Sequence, residues 1–107
     1  MTLPNVPYQL YVAGNGYKVV STGGSAVQLS TTDTPCSWVY VQAISTNTGI
    51  ICIGTSTCLA TTGANRSGII VEAAKTELFP IKNLDSIWMD GVSTEGCSYV
   101  YYAVSVP

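Results

Sequence analysis

Hydrophobic and polar positions are most regular in Ser37-Trp-Val-Tyr-Val-Gln-Ala-Ile44, where almost every residue is β-branched, aromatic or small. The run stops at Ser45-Thr-Asn-Thr-Gly49, and a second apolar run, Ile50-Ile-Cys-Ile53, follows. This predicts strand, turn, strand, with a hairpin or meander at the centre of the domain. Asn47 and Gly49 accept positive φ at little cost, as a tight connection requires, and Gly54-Thr-Ser-Thr57 supplies the next reversal.

On the N-terminal side, Tyr8 to Ala13 reads as a short strand ending in a turn at Gly14-Asn-Gly16. Tyr17 to Thr22 then runs to Gly23-Gly24, and Ala26 to Ser30 is a further strand. Thr31 to Pro35 is a loop, because Pro35 lacks a donor and moves Thr34 away from helical angles. Beyond the central pair, Leu59 to Gly68 is a long surface connection rich in Thr, Gly and Asn. Ile69 to Glu72 is a strand, Ala73 to Glu77 has helix formers for one turn but is too short to be a stable helix by itself, and Leu78-Phe-Pro-Ile81 is extended with Pro80 marking an edge or interruption. Ser86 to Asp90 and Ser98 to Val104 are the last strands. No segment keeps helical periodicity over three turns. The expectation is all-β: a single-domain antiparallel β-sandwich or partly closed barrel over residues 8–107, preceded by an extended arm over 1–7 that contains Pro4 and Pro7.

Alternation also assigns faces. Val39, Val41 and Ala43 share one side of their strand, and Ile87 and Met89 share one side of theirs; these aliphatic sides are the expected core. Trp38, Tyr40 and Trp88 then lie outside, and Tyr99 and Tyr101 join them if Val100, Tyr102 and Val104 turn inward. Amphipathic aromatics at that density suit a contact surface, because they bury large area and keep a polar edge wet. A sugar-stacking platform has the same sequence signature. Leu3, Pro4, Val6, Pro7 and Tyr8 of the arm are the other candidate partner contacts.

Composition sharpens this reading. Of 107 residues, 47% are hydrophobic and only 9% charged, against about 25% charged in an average soluble domain. A surface of Thr, Ser, Asn and Gln lacks the charge that keeps monomers apart, so much of it is expected to be covered in an assembly. The net charge is −2, and the four basic residues are scattered along the chain. A nucleic-acid ligand needs a basic stripe, so none is expected. The N-terminus has no signal-peptide pattern and no apolar run reaches membrane-spanning length, so neither a leader nor a membrane partner is expected.

Candidate chemistry is sparse. The chain has no His, which removes the usual general base and every Ser-His-Asp or Cys-His constellation. The pairs Glu72/Glu77 and Asp85/Asp90 are oddly spaced and would point to opposite faces of an ideal strand. The glycine clusters lack the following helix of a phosphate-cradling loop. No catalytic residue, metal site or cofactor is expected. Asn65-Arg-Ser67 matches a glycosylation acceptor without a secretory context. The four cysteines, Cys36, Cys52, Cys58 and Cys97, allow three pairings or none. Cys52 and Cys58 flank the Gly54 turn and could face each other across a hairpin, and Cys36 and Cys97 each begin an apolar strand and could lie at the same end. Alternatively all four are small buried apolar residues.

Taken as an ordered set, Ala26-Val-Gln-Leu29, Pro35-Cys36, Asn47-Thr-Gly49 with Ile53-Gly54 and Ser56, Phe79-Pro-Ile81, Leu84, Ile87-Trp-Met-Asp90 and Gly96 to Tyr99 resembles small structural proteins of tailed bacteriophages, including head decoration or cement proteins. The likeness spans about residues 24–104. It implies a β-rich virion protein, made in the host bacterial cytoplasm, that binds the capsid exterior and bridges subunits of the major capsid protein as a homodimer or homotrimer. A carbohydrate-binding host-adhesion module and a tail or baseplate subunit are the alternatives. The chain departs from the pattern in carrying Ala73-Ala-Lys-Thr-Glu77 where a glycine-containing turn is usual, and in Cys52 and Cys58.

Overall fold

A computed structural model of the protein describes residues 9–61 and 66–105. The expected arm, with Leu3, Pro4, Val6, Pro7 and Tyr8, lies outside the described residues. In chain order the elements are β1 (Gln9–Val19), β2 (Val27–Gln28), β3 (Trp38–Ala43), β4 (Ile51–Gly54), β5 (Ile69–Val71), β6 (Thr76–Pro80), a single 3-10 turn (Leu84–Ser86), β7 (Trp88–Asp90) and β8 (Gly96–Ser105). They form two antiparallel four-stranded sheets, β1-β8-β3-β6 and β2-β7-β4-β5, packed face to face and not closed into a barrel. The fold is the expected β-sandwich.

The core follows from strand alternation. Val39, Val41 and Ala43 of the first sheet meet Ile51, Ile53, Val71 and Met89 of the second, with Val20, Leu29, Leu84 and Ile87 closing the ends. Asn83 starts the 3-10 turn and pins the loop before β3: its Oδ1 accepts from the backbone N–H groups of Thr34 at 2.9 Å and Asp85 at 3.1 Å.

Three local expectations are corrected. The predicted central hairpin does not form, because β3 pairs with β6 and β8 while β4 pairs with β5 and β7 in the other sheet. Ser45 to Gly49 carries the chain between layers and is held by the segment before β8. Asn47 exchanges hydrogen bonds with the backbone of Gly96 at 2.8 and 3.3 Å, and the Glu95 carboxylate accepts from the Thr48 N–H, the Thr48 hydroxyl and the Gly49 N–H. Those three donors hold the Glu95 carboxyl below its ordinary range.

Gly14-Asn-Gly16 is likewise no turn. It lies inside β1, which runs unbroken beside β8 with a bulge between Val12 and Gly14. The two glycines leave room for rings: Gly14 pairs with Tyr101 and Gly16 with Tyr99. A Cβ on Gly16 would stand 2.6 Å from the Tyr99 Oη, and a Cβ on Gly14 would overlap the Tyr101 ring. Glycine opposite an aromatic on the same face is a stable cross-strand pairing because the ring covers the bare backbone. Third, the helix formers of Ala73 to Glu77 do not make even one turn of helix, and Thr76 and Glu77 belong to β6. The segment before them is a tight reversal with Ala74 at φ 66°. β6 is an edge strand, as Pro80 predicts.

Candidate docking face

The exposed face of the first sheet is built from side chains whose register is fixed by three ladders. Val12, Tyr102, Trp38 and Pro80 stand in one row across the four strands, and Asn15, Val100, Tyr40 and Leu78 form the next. A third row of Tyr17, Ser98, Gln42 and Thr76 is polar apart from its tyrosine, so the face grades from apolar to hydroxyl and amide along the strands. Beyond the first row, Leu10 faces Val104 on a β1–β8 ribbon that overhangs the start of β3.

Leu10, Tyr11, Val12, Trp38, Tyr40, Leu78 and Tyr102 enclose a groove of about 530 Å3. Val12 is 62% exposed, Leu10 52% and Leu78 49%, on the two edge strands of the sheet with Trp38, Tyr40 and Tyr102 between them. An exposed apolar surface of this kind marks an interaction site. Among the described residues no charged side chain lines the groove. The Tyr40 hydroxyl is hydrogen-bonded to Thr76 Oγ1 at 3.1 Å, which fixes the ring across the β3–β6 ladder.

The sequence-predicted aromatic set is divided by the structure. Trp38 and Tyr40 share the groove, as alternation requires. Trp88 is half-buried on the outer side of the other sheet, beside Gly54 and Gln28. Tyr99 and Tyr101 point inward against the core, with ring centroids 6.3 Å apart, so their expected place on the outer face is wrong. The inversion has a physical cause: Val39 and Val41 are fully buried, and Tyr101 and Tyr99 are their direct partners and therefore share their face. Val100 and Tyr102 consequently turn outward. Sequence reasoning missed Tyr102, Leu10, Val12 and Leu78 because a run of alternating Val and Tyr is amphipathic in either sense. The glycines of β1 were the available signal.

The centre of the second sheet's outer side is covered by its own chain. Cys52 and Asp90 are cross-strand partners on that side and both are fully buried. The Asp90 carboxylate accepts the Gly24 N–H at 2.9 Å and the Ala60 N–H at 2.8 Å, tying the loop after β1 and the connection after β4 to one point. Next to it, a depression of about 420 Å3 is lined by Gly23, Gly24, Gly49, Ile50 and Arg66 among others.

All four cysteines are free, buried thiols. Burial pushes Cys58 up to about 11 and Cys97 up to about 12, and it raises Cys36 and Cys52 as well. Cys36 and Cys97 lie at opposite ends of β3, not the same end: Cys36 precedes Trp38, whereas Cys97 faces Ala43. Five residue steps of strand separate those ends, about 17 Å, too far for a disulfide. No group of acidic or cysteine side chains that could hold a metal occurs among the described residues, and no described helix is long and apolar enough to cross a membrane.

Comparisons with protein families, curated proteins and solved structures gave no match to the chain.

Proposed function

We propose that this protein is a virion decoration module: a small β-sandwich that docks its exposed Trp38–Tyr40–Tyr102 face on the outer surface of a bacteriophage capsid and bridges subunits of the major capsid protein. The observation that carries this reading is the uncharged apolar groove between Leu10, Val12, Trp38 and Leu78. Its walls supply aromatic anchors surrounded by aliphatic side chains that exclude water, the usual make-up of the centre of a protein–protein interface. A sugar site would need several directed polar groups beside its stacking ring. Among the described residues the groove offers the tyrosine hydroxyls and the Trp38 indole N–H, and the Tyr40 hydroxyl is already engaged by Thr76. The sequence likeness to phage decoration proteins supports the choice of partner. The low charge supports a role in which much of the surface is covered, and the cement mechanism is additive, since small contacts repeated at every lattice junction sum to a stiffer shell.

The test is to mix the purified protein with capsids that lack it and to sediment the particles. Co-sedimentation at a fixed ratio per capsid subunit, with better survival on heating, is the expected result. Leu78→Glu, at an exposed edge position, should reduce occupancy without unfolding the domain. A folded protein that stays in the supernatant refutes the capsid reading. Binding to tails but not heads would assign it to the tail, and a Trp38 fluorescence response across a glycan panel would assign it to adhesion.

A further inference from the structure

β1 is a long, bare sheet edge. It pairs with β8 on one side only, and among the described residues no strand or bridge occupies the other. The remaining edges are blunt: β2 has two residues, β5 has three, and β6 carries Glu77 and Pro80. β1 has eleven residues, Gln9–Val19, with no proline and one charge, Lys18. An unguarded edge of that length is a template for another strand.

We propose that this edge pairs antiparallel with β1 of a second copy of the chain, across a two-fold axis passing between Ala13 and Gly14. The register follows from the bulge. Leu10 and Val12 face outward before it, and Asn15 and Tyr17 face outward after it. Setting Leu10 against the second copy's Tyr17, and Val12 against the second copy's Asn15, matches outer side to outer side along the whole strand and puts Gln9 opposite Lys18. A slip of one residue would set Leu10 against an inward-facing position, so the side-chain period selects this register. Tyr17 is 74% exposed and Leu10 is half-exposed, and each gains its missing cross-strand neighbour from the other copy.

Charge selects the antiparallel sense. Two Lys18 side chains would be adjacent in a parallel pair, but in this one they stand nine residues apart along the ladder, about 30 Å at roughly 3.4 Å per residue. The buried strip is about 34 Å long and about 10 Å deep, well under the roughly 800 Å2 per partner of a standard interface. The dimer is therefore weak and concentration-dependent. It joins the two docking faces edge to edge, since Leu10 and Val12 border both the groove and the seam. The inference rests on the β1 edge and is independent of the capsid reading.

The test is light scattering and sedimentation of the full chain over about 5 to 500 μM, a range in which mass action fills an interface of this size. The wild type should shift from monomer to dimer. Leu10→Glu/Tyr17→Glu places like charges opposite each other and should weaken the dimer at least tenfold, whereas Leu10→Lys/Tyr17→Glu places opposite charges there and should retain it. Within one copy both positions are exposed, and circular dichroism checks that each variant is folded. On mixing, a Val12→Cys protein should cross-link to an Asn15→Cys protein in preference to itself. A wild type that stays monomeric at the top concentration, a trimer, or two charge variants that dimerise alike would overturn the proposal. Loss of capsid binding with an intact dimer would refute the capsid role alone.

Discussion

Gly16→Ala tests the inward placement of the β8 tyrosines. In an ordinary strand, replacing glycine by alanine gains about 0.5–1 kcal/mol from reduced chain entropy. Here the new Cβ would stand 2.6 Å from the Tyr99 Oη and 2.8 Å from its Cζ. Ordinary contact begins near 3.4 Å, so the ring must retreat by several tenths of an ångström. It rests on the buried core and its hydroxyl donates to the Leu29 carbonyl at 3.4 Å, so it has little room to do so. Overpacking of this kind costs about 1–3 kcal/mol. The cost exceeds the entropic gain, and the expected net effect is destabilisation by about 1–2 kcal/mol, or a fall in Tm of about 5–10 °C for a domain of this size. Thermal and urea unfolding of Gly16→Ala, Tyr99→Ala and the double variant measure it. Removing the ring removes the clash, so the double variant should be less destabilised than the sum of the singles by about 1 kcal/mol or more. A stabilised Gly16→Ala, with additive double-variant energies, would mean that Tyr99 does not lie over Gly16 and that the face assignment is wrong.

Thr94 and Ala74 adopt φ of 72° and 66°, so Thr94→Gly and Ala74→Gly should each raise stability by about 1 kcal/mol in chemical denaturation, the larger gain falling at the β-branched Thr94. The buried thiols should resist an aromatic disulfide reagent until the protein is unfolded. The raised thiol values favour the folded state fully below their unfolded value of about 9, and this contribution is lost as pH rises toward about 12, so Tm should fall across that alkaline window. Asp90→Ala removes the acceptor for two loop amides and should cost about 2–4 kcal/mol, with faster exchange of the Gly24 and Ala60 N–H groups; equal exchange would refute the tie. The depressed Glu95 carboxyl stabilises the Thr48–Gly49 turn above the ordinary carboxyl range, so the Thr48 and Gly49 amides should loosen as pH falls through its folded value.

Strand composition made the fold class legible, and the faces of β3 and β7 were legible too, because each pairs aliphatic with aromatic or amide positions in a single sense. β8 was not, since Tyr99, Val100, Tyr101 and Tyr102 are all amphipathic or apolar and only their partners decide which side is buried. The Gly14-Asn-Gly16 run misled for a related reason. Glycine in a strand marks either a reversal or a bed for a ring, and the ring belongs to a strand more than eighty residues later. Long-range partners also decide Ser45 to Gly49, where Glu95 and Gly96 hold the chain as it crosses between layers. Half of the docking face was accessible through Trp38 and Tyr40. The other half comes from β1, β6 and β8, whose positions beside β3 are set by topology and not by local pattern.

The covering of one sheet by the connection after β4 makes the domain two-sided. One broad surface is bare, and the centre of the other is covered by the chain's own loops, anchored at Asp90. If the bare face is the one that docks, as proposed, the molecule lies on its support with the Gly23, Gly49 and Val92 loops clear of the contact. Together with the exposed Thr55–Thr57 of the connection after β4, those loops would be open to antibodies and proteases on a copy docked this way, and foreign sequence placed at exposed Thr22 or Ser93 would be displayed on that side.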